Sequence, residues 1–494
     1  MNTPHQNQYK KLLSSYTGAL LGLAVGDALG AAVEFKDPGT FEPVTTMRGG
    51  GPFRLAPGEW TDDTSMALCL ADSLIACNGF NAGDQMQRYV QWYKDGYLSS
   101  TGECFDIGTT TEAALEHYLK TSDPYSGLQN PKGAGNGSLM RIAPIALAFL
   151  HHPSEALENA RRCSETTHGS QEASDACRFF VGLLIGILQG KTKEEVLEAE
   201  YEPFEDAFTN DPLSENIKLI AEGSYKRKQP PEIKGSGYVV KSLEAALWAF
   251  YHSDSFDDAV LKAVNLGDDA DTTGAIVGQI AGAYYGFSAI REEWRAMITD
   301  AEKITTMATH LFMKFNRPFP RSYWVAPGQL LCGFFPGSSD EEKCHKKISS
   351  ILDCGATSFV NLMEENEIDW DDEPFAPYQH ILFNLAEQRS LNVSYARIPI
   401  IDQNIANVET MKHILDVIDG SRMQEQTVYL HCWGGKGRTA SVVGCWLVRH
   451  GMEPREALQC IQELRDFAPD EKAHDPAPEN TLQRSFVLLW KKGQ

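Results

Sequence analysis

Two apolar stretches of this chain carry small residues at a fixed step. Glycines stand at positions 18, 22, 26 and 30 in TGALLGLAVGDALG, and at 274, 278, 282 and 286 in TTGAIVGQIAGAYYG. A step of four places each set on one helical face. An interior glycine costs a helix roughly 0.5–1 kcal/mol relative to alanine, so both stretches predict helices whose backbones approach a neighbour closely. Paired membrane helices share this signature, but neither run reaches ~20 apolar residues, and Asp27 interrupts the first. Another helical pattern runs through ITTMATHLFMKF. The proline-bearing FNRPFPRSYW then breaks the period, and short strands of an α/β sheet are expected beyond it. This places a boundary near residues 316–322 and divides the chain into domains of residues 1–318 and 319–494. Residues Thr427 to Leu430, TVYL, read as a buried strand, and a helical run, ASVVGCWLVRHG, follows shortly after. Residues 201–235 read as a loop-rich connection. The acidic run from Glu364 to Glu373 reads as a solvated loop.

Each glycine-rich region has an acidic cluster near it. One is Trp60-Thr61-Asp62-Asp63-Thr64; the other is Asp268-Asp269-Ala270-Asp271-Thr272, at the start of the second glycine helix. Carboxylates this close repel one another and call for a counter-charge. Oxygen-only donors suit Mg²⁺, Ca²⁺ or Mn²⁺, whereas zinc favours His or Cys. Two such half-sites meeting in space would build a metal centre. The plainer alternatives are a structural cation site or helix capping.

The segments GALLGLAVGDALGAAVE, EWTDDTSMAL, GAGNGSLMRIAP, TTHGS, GSGYVVKSLEAALWAF and GDDADTTGAIVGQIAGA resemble the ADP-ribosylglycohydrolase family in order and spacing, over roughly residues 12–315. The resemblance implies an all-α fold with a binuclear Mg²⁺ site, Mn²⁺ being possible. By that match Thr61, Asp62, Asp63, Asp269, Asp271 and Thr272 are the metal ligands. Glu34 matches an acidic residue near the substrate ribose. Asn136, Gly137, Ser138, Arg141 and His168 fall in the segments lining an ADP-ribose cleft. Asp268 is not a ligand in this match, and reads as a capping or supporting residue. Phe105 and Tyr238 can stack on adenine or simply pack in the core. Cleaving a glycosidic bond at the ribose develops charge on sugar and leaving group. Paired metals can orient the hydroxyls and activate water, and Glu34 or a ligand aspartate can serve as acid or base.

A second chemistry follows the TVYL strand. His431-Cys432-Trp433-Gly434-Gly435-Lys436-Gly437-Arg438-Thr439 puts a Cys-x5-Arg loop between a strand and a helix. Backbone N–H groups of such a loop, with the helix N-terminus, cradle a phosphate. Cys432 can then act as a thiolate nucleophile, Arg438 can grip two phosphate oxygens, and Thr439 can hydrogen-bond the sulfur. With SYWVAPGQLLCGFFPG, GATSFVNLMEENE, YARIPIIDQNI and PENTLQRSFVLLW, the region from 322 to 494 resembles the dual-specificity branch of the protein tyrosine phosphatases. That family carries its general acid about thirty residues before the cysteine. Asp402 stands 30 residues before Cys432 and fits, although a turn residue would look the same. Gln483 is a candidate for orienting water. Lys436 adds charge at the phosphate mouth, which favours polyanionic substrates unless it is merely solvated.

Composition sharpens the partners. A net charge of −23 opposes binding to a nucleic-acid backbone, and no signal peptide or membrane anchor is evident. Eleven cysteines, an odd number without a CxxC pair, point to reduced thiols in a cytoplasm. The expected protein is a bifunctional hydrolase. One domain acts on an ADP-ribosylated protein or small ADP-ribose derivative, the other on a phosphorylated substrate, with neither nucleic acid nor membrane as partner. The rival expectation is that one domain only binds its ligand.

Overall fold

A computed structural model describes residues 4–199, 201–317, 319, 321–369, 373–466 and 475–494. The chain divides into two compact units. One spans Leu12–Phe315; the other holds Asn316–Gln494 together with the chain start up to Lys11. Pro318 and Pro320, which marked the expected boundary, lie outside the described residues.

The first unit is helical among its described residues. Its centre is the antiparallel pair of glycine helices, formed by the part of Pro4–Gly30 from Leu12 onward and by Ala270–Tyr285. A Cβ on Gly18, Gly22 or Gly26 would overlap the carbonyl oxygens of Gly282, Gly278 and Gly274 respectively, and the reverse substitutions would overlap in turn. The cost of glycine in a helix is therefore offset by backbone-to-backbone packing that no side chain permits. Leu23, Ala67 and Ala275 form a fully buried cluster that fixes a third helix, Asp62–Cys77, against this pair. The first helix is longer and more apolar than its sequence suggested. Its Tyr9–Val33 region has the length and composition to cross a membrane, yet the apolar window is entirely buried in protein. The 201–235 connection is loop-rich but carries a short helix, Glu215–Ala221, and a 3-10 turn, Ser224–Lys226.

The second unit is built on a mixed five-stranded sheet. Its strands are β1 (Tyr323–Ala326), β2 (Leu330–Gly333), β3 (Ala356–Asn361), β4 (Ser394–Arg397) and β5 (Thr427–His431), in the order β1-β2-β5-β3-β4. β1 runs antiparallel to β2, and the remaining neighbours are parallel. β5 lies at the centre and is buried at every position, as a strand covered on both faces must be. The helix Arg438–Arg449 begins directly after the loop that leaves β5. This puts the loop at the carboxyl ends of the parallel strands, where open α/β sheets bind ligands.

Candidate active sites

The antiparallel glycine pair sets the first site. Gly30, near the end of the first helix, packs against Ala270 and Asp271 at the start of the second. The chain then turns through Ala31–Val33 to Glu34. Phe35 N–H donates to Asp268 O (2.7 Å), and Asp268 N–H donates to Lys36 O (2.8 Å). Asp268 thus serves through its backbone, while its side chain is exposed. The helix Asp62–Cys77 brings its own N-terminus to the same place.

What converges is a nest of carboxyls. Asp27, Asp63 and Asp271 form one group whose oxygens lie within 4.8 Å of one another; Glu34, Asp106 and Asp271 form another. Thr61 Oγ1 donates to Asp27 (3.0 Å), Asp63 (3.0 Å) or Asp271 (3.4 Å). Thr272 Oγ1 lies 3.4 Å from Asp63 Oδ2. Asn136 Nδ2 donates to Asp269 Oδ2 at 2.6 Å. Asp27 is saturated differently from the others, accepting from the backbone N–H and hydroxyl of both Thr61 and Thr64. By contrast, Glu34 Oε2, Asp63 Oδ1 and Asp271 Oδ1 are buried with no hydrogen-bond partner.

The electrostatics follow from burial and crowding. Burial, then Asp271, Asp106, Asp269 and Asp63, push Glu34 up to about 11. Burial and the same neighbourhood push Asp106 up to about 9, and its hydrogen bond with Asp271 makes it the proton holder of that pair. Burial raises Asp62 and Asp63 well above the usual carboxylate range. Asp27 and Asp271 reach about 6 and Asp269 about 7, again through burial first. Orphaned oxygens, an oxygen-only donor set and mutual repulsion together fit hard divalent cations.

The structure brings Glu34, Thr61, Asp62, Asp63, Asp269, Asp271 and Thr272 to one place. It adds two residues that the sequence reading missed as site members. In sequence Asp27 only breaks an apolar run; its signal is an acid placed on the face of a glycine-stepped helix. Asp106 sits in a loop with a left-handed backbone (φ 58°) and carries no local motif. The remaining cleft candidates divide. Asn136 touches the acidic nest, and Gly137 packs on His168, whose ring a Cβ at Gly135 or Gly137 would strike. His168 is buried, shares a hydrogen bond with Thr167 Oγ1 (2.9 Å), and is pushed down to about 3 by burial, so it is neutral. Ser138 and Arg141 are fully buried. Ser138 bonds Ser164 (2.8 Å), while Arg141 holds Gly137 O (3.0 Å) and lies over the Tyr89 ring. These two shape the loop from behind. Phe105 packs on Phe53, and the Tyr238 hydroxyl donates to Glu172 at 2.7 Å.

The second site is the loop after β5. Cys432, Trp433, Gly434, Lys436, Gly437 and Arg438 line a cavity of about 510 Å³ with Asp402 on its wall. Gly435 has φ 72°, which favours glycine. Its carbonyl accepts from Tyr323 Oη (3.4 Å) and Arg465 Nη1 (3.3 Å). Arg438 is buried and clamped. Both its terminal nitrogens donate to the two oxygens of Glu367, Nη1 also reaches Ile400 O (3.0 Å), and Nη2 lies 2.9 Å from Asp402 Oδ1. His431, ahead of the cysteine, is buried against Tyr378 Oη (2.6 Å), and burial pushes it down to about 3. The Thr439 hydroxyl is buried with no partner. Gln483 is buried beside Gly437, its Nε2 donating to Asn404 O at 3.2 Å. Lys436 pairs with Asp475 at 2.9 Å. Glu367 belongs to the acidic run that read as a solvated loop; residues 370–372 of that run lie outside the described residues. Glu367 is instead the carboxylate that holds the loop arginine.

An acidic nest on an all-α scaffold and a Cys-x5-Arg loop on an α/β sheet define a two-domain hydrolase. Residues 8–321 match the family model of the ADP-ribosylglycohydrolases. Residues 320–480 match that of the Swiss Army Knife protein, DSP-PTPase phosphatase domain. The chain belongs to the ADP-ribosylglycohydrolase family, with a DSP-PTPase-type phosphatase domain following. It is 42% identical over 300 residues to the ADP-ribosylarginine hydrolase Tri1 of Serratia proteamaculans (strain 568), covering 61% of this chain and 79% of that protein. It is 32% identical over 284 residues to the ADP-ribosyl-[dinitrogen reductase] glycohydrolase of Rhodospirillum rubrum, covering 56% of this chain and 87% of that one. Among solved structures it resembles one titled ADP-ribosylglycohydrolase-related protein complex, with a TM-score of 0.54 and 44% identity, over 61% of this chain and 98% of that chain.

Proposed function

We propose that the N-terminal domain removes ADP-ribose from arginine side chains with the help of two Mg²⁺ or Mn²⁺ ions, and that the C-terminal domain hydrolyses a phosphate monoester through Cys432. The observation that carries the first half is the set of unpartnered, buried oxygens of Glu34, Asp63 and Asp271. The likeness to an ADP-ribosylarginine hydrolase supports the choice of linkage. Asp62, Asp63, Asp269 and Asp271, with Thr61 and Thr272, would hold the ions, and Asp27 and Asp106 belong to the same oxygen set. Such ions would polarise ribose hydroxyls and lower the pKa of a bound water. The chain's own contribution is positioning. Asn136 pins Asp269, the threonine hydroxyls orient carboxylates, and Glu34 can hold or deliver a proton at Oε2 beside the substrate.

In the second domain the substrate phosphate sits on the loop N–H groups with Arg438 across two of its oxygens. Cys432 Sγ attacks phosphorus, an S–P bond forms, the P–O bond to the leaving group breaks, and Asp402 gives that oxygen its proton. Water then attacks phosphorus and gives a proton to Asp402; a new P–O bond forms as the S–P bond breaks, releasing phosphate and the Cys432 thiolate. Gln483, beside Gly437, can orient that water. All eleven cysteines are free, which is in keeping with a cytoplasmic protein. Release of ADP-ribose from ADP-ribosylated arginine, ADP-ribosylated serine and O-acetyl-ADP-ribose, compared with Mg²⁺ present, should favour arginine. A preference for either other substrate would refute the linkage, and release from none would refute the activity. Turnover of p-nitrophenyl phosphate tests the second domain in the same way.

A further inference from the structure

The cavity before Cys432 is lined by four cationic side chains, Arg321, Lys436, Arg438 and Arg465, and by the carboxylates of Asp402 and Glu479. Arg438 is already bridged by Glu367 and Asp402. Lys436 is held by Asp475, whose side chain is 46% exposed, and a pair that open to water contributes little. Arg465 is different. It lines the cavity and is only 4% exposed, and its Nε is buried with no partner. Its one hydrogen bond among the described residues runs from Nη1 to the carbonyl of Gly435. No carboxylate among the described residues pairs with it. Among the described residues this buried guanidinium therefore has a carbonyl and no carboxylate for a partner, and its planar fork is suited to phosphate oxygens. Arg321 lines the same cavity next to Gly434.

We propose that this cavity contains a second phosphate position, built by Arg465 with Arg321 and Lys436. The substrate of the phosphatase domain is then a small molecule carrying a further phosphate besides the one held over Cys432. The inference rests on the phosphatase reading for the first phosphate. About 510 Å³ accommodates a nucleotide or a phosphorylated inositol, and the two sources share the chemistry that Arg465 would recognise.

The test uses the full chain carrying Cys432→Ser, which keeps the loop but does not turn over. Calorimetric titrations compare adenosine 3′,5′-bisphosphate with AMP, and inositol 1,4-bisphosphate with inositol 1-phosphate. In one of the two pairs the bisphosphate should bind at least about ten-fold tighter, and the pair that shows it names the source. Adding Arg465→Gln should collapse that ratio, while Arg465→Lys should retain part of it. If Arg465 merely supports the loop through Gly435, both members of a pair weaken together and the ratio stands, which overturns the proposal. Equal affinity within both pairs, or a phosphotyrosine peptide bound as tightly as the better bisphosphate, also overturns it. Turnover of p-nitrophenyl phosphate by the chain with Cys432 intact separates the two failures. Absent turnover with the bisphosphate preference preserved removes the phosphatase reading alone. Turnover without preference removes only the second position.

Discussion

The two sites occupy the same kind of place and carry opposite charge problems. Each sits where a helix begins and where glycine lets backbone approach closely. In the N-terminal domain, carboxyl groups crowd the starts of the helices Asp62–Cys77 and Ala270–Tyr285, and three of their oxygens have no partner. In the C-terminal domain, the helix Arg438–Arg449 begins at an arginine already satisfied by two carboxylates. The first site presents buried carboxyl oxygens without partners, which suit cations. The second is assembled in advance and awaits an anion. The helix N-terminus favours negative charge in both, but in the proposed function only the first site imports positive charge.

Crossing the two chemistries shows whether each site works without the other. Cys432→Ser should lower phosphate-ester hydrolysis by more than about 10³-fold, the scale on which loss of a nucleophile acts, and leave release of ADP-ribose unchanged. Asp271→Ala should do the reverse, lowering release of ADP-ribose on the order of 10³-fold with phosphatase turnover intact. Because it removes one repelling charge, it should also raise the melting temperature of the metal-free N-terminal domain. A lower melting temperature in EDTA would mean that Asp271 is not held against repulsion. Asp402→Ala comes next. It should slow alkyl phosphates by about 10²-fold, within the usual range for a general acid, and slow p-nitrophenyl phosphate much less. Equal losses on both would assign Asp402 only to holding Arg438.

Packing gives a smaller effect. Gly278→Ala drives a methyl into the Gly22 carbonyl of the facing helix and should destabilise the N-terminal domain by about 3 kcal/mol. Denaturant midpoints measure it, and a neutral result would show that the helices can separate without loss.

Milder per pH unit is the pH response of stability, and its sign should differ between the domains. His431, pushed down to about 3, stays neutral when folded and takes up a proton when unfolded below pH ~6.5. The unfolded chain then binds more protons, so the C-terminal domain loses on the order of 1.4 kcal/mol per pH unit below that value. In the metal-free N-terminal domain, Glu34 and Asp106 are pushed up to about 11 and about 9 and stay protonated when folded. Their unfolded forms ionise near pH 4, so stability there rises as pH falls from 7 towards 5. His168 opposes this, but the raised carboxyls outnumber it. Calorimetric melting in EDTA at pH 7 and pH 5 should move the two transitions in opposite directions. Parallel shifts would contradict the charge assignment.

Much of this was legible because regular spacing encodes regular contact. The glycine step of four predicted close helix packing, and the structure pairs those same glycines across the interface. The acidic clusters and the Cys-x5-Arg loop were legible because neighbouring residues share a helix start. What sequence could not reveal are groups that reach a site from elsewhere in the chain. Asp106 and Glu367 come from loops whose local composition says nothing about their destination. Arg465 lies on the helix Pro454–Asp466 and approaches Gly435 only through tertiary packing. Ser138 and Arg141 show the converse, since they stand in a recognisable segment yet face the interior.

The carboxyl nest is proposed as a centre for two divalent ions. Titrating the metal-free full chain with Mn²⁺ by calorimetry, in buffers of different ionisation heat, tests it most directly. Two equivalents should bind, and protons should be released as Glu34, Asp106 and their neighbours ionise. ADP-ribose release should appear over the same range of metal, and Asp62→Ala should lose both binding and release. Full ADP-ribose release in EDTA, or metal binding that Asp62→Ala leaves at two equivalents, would contradict it.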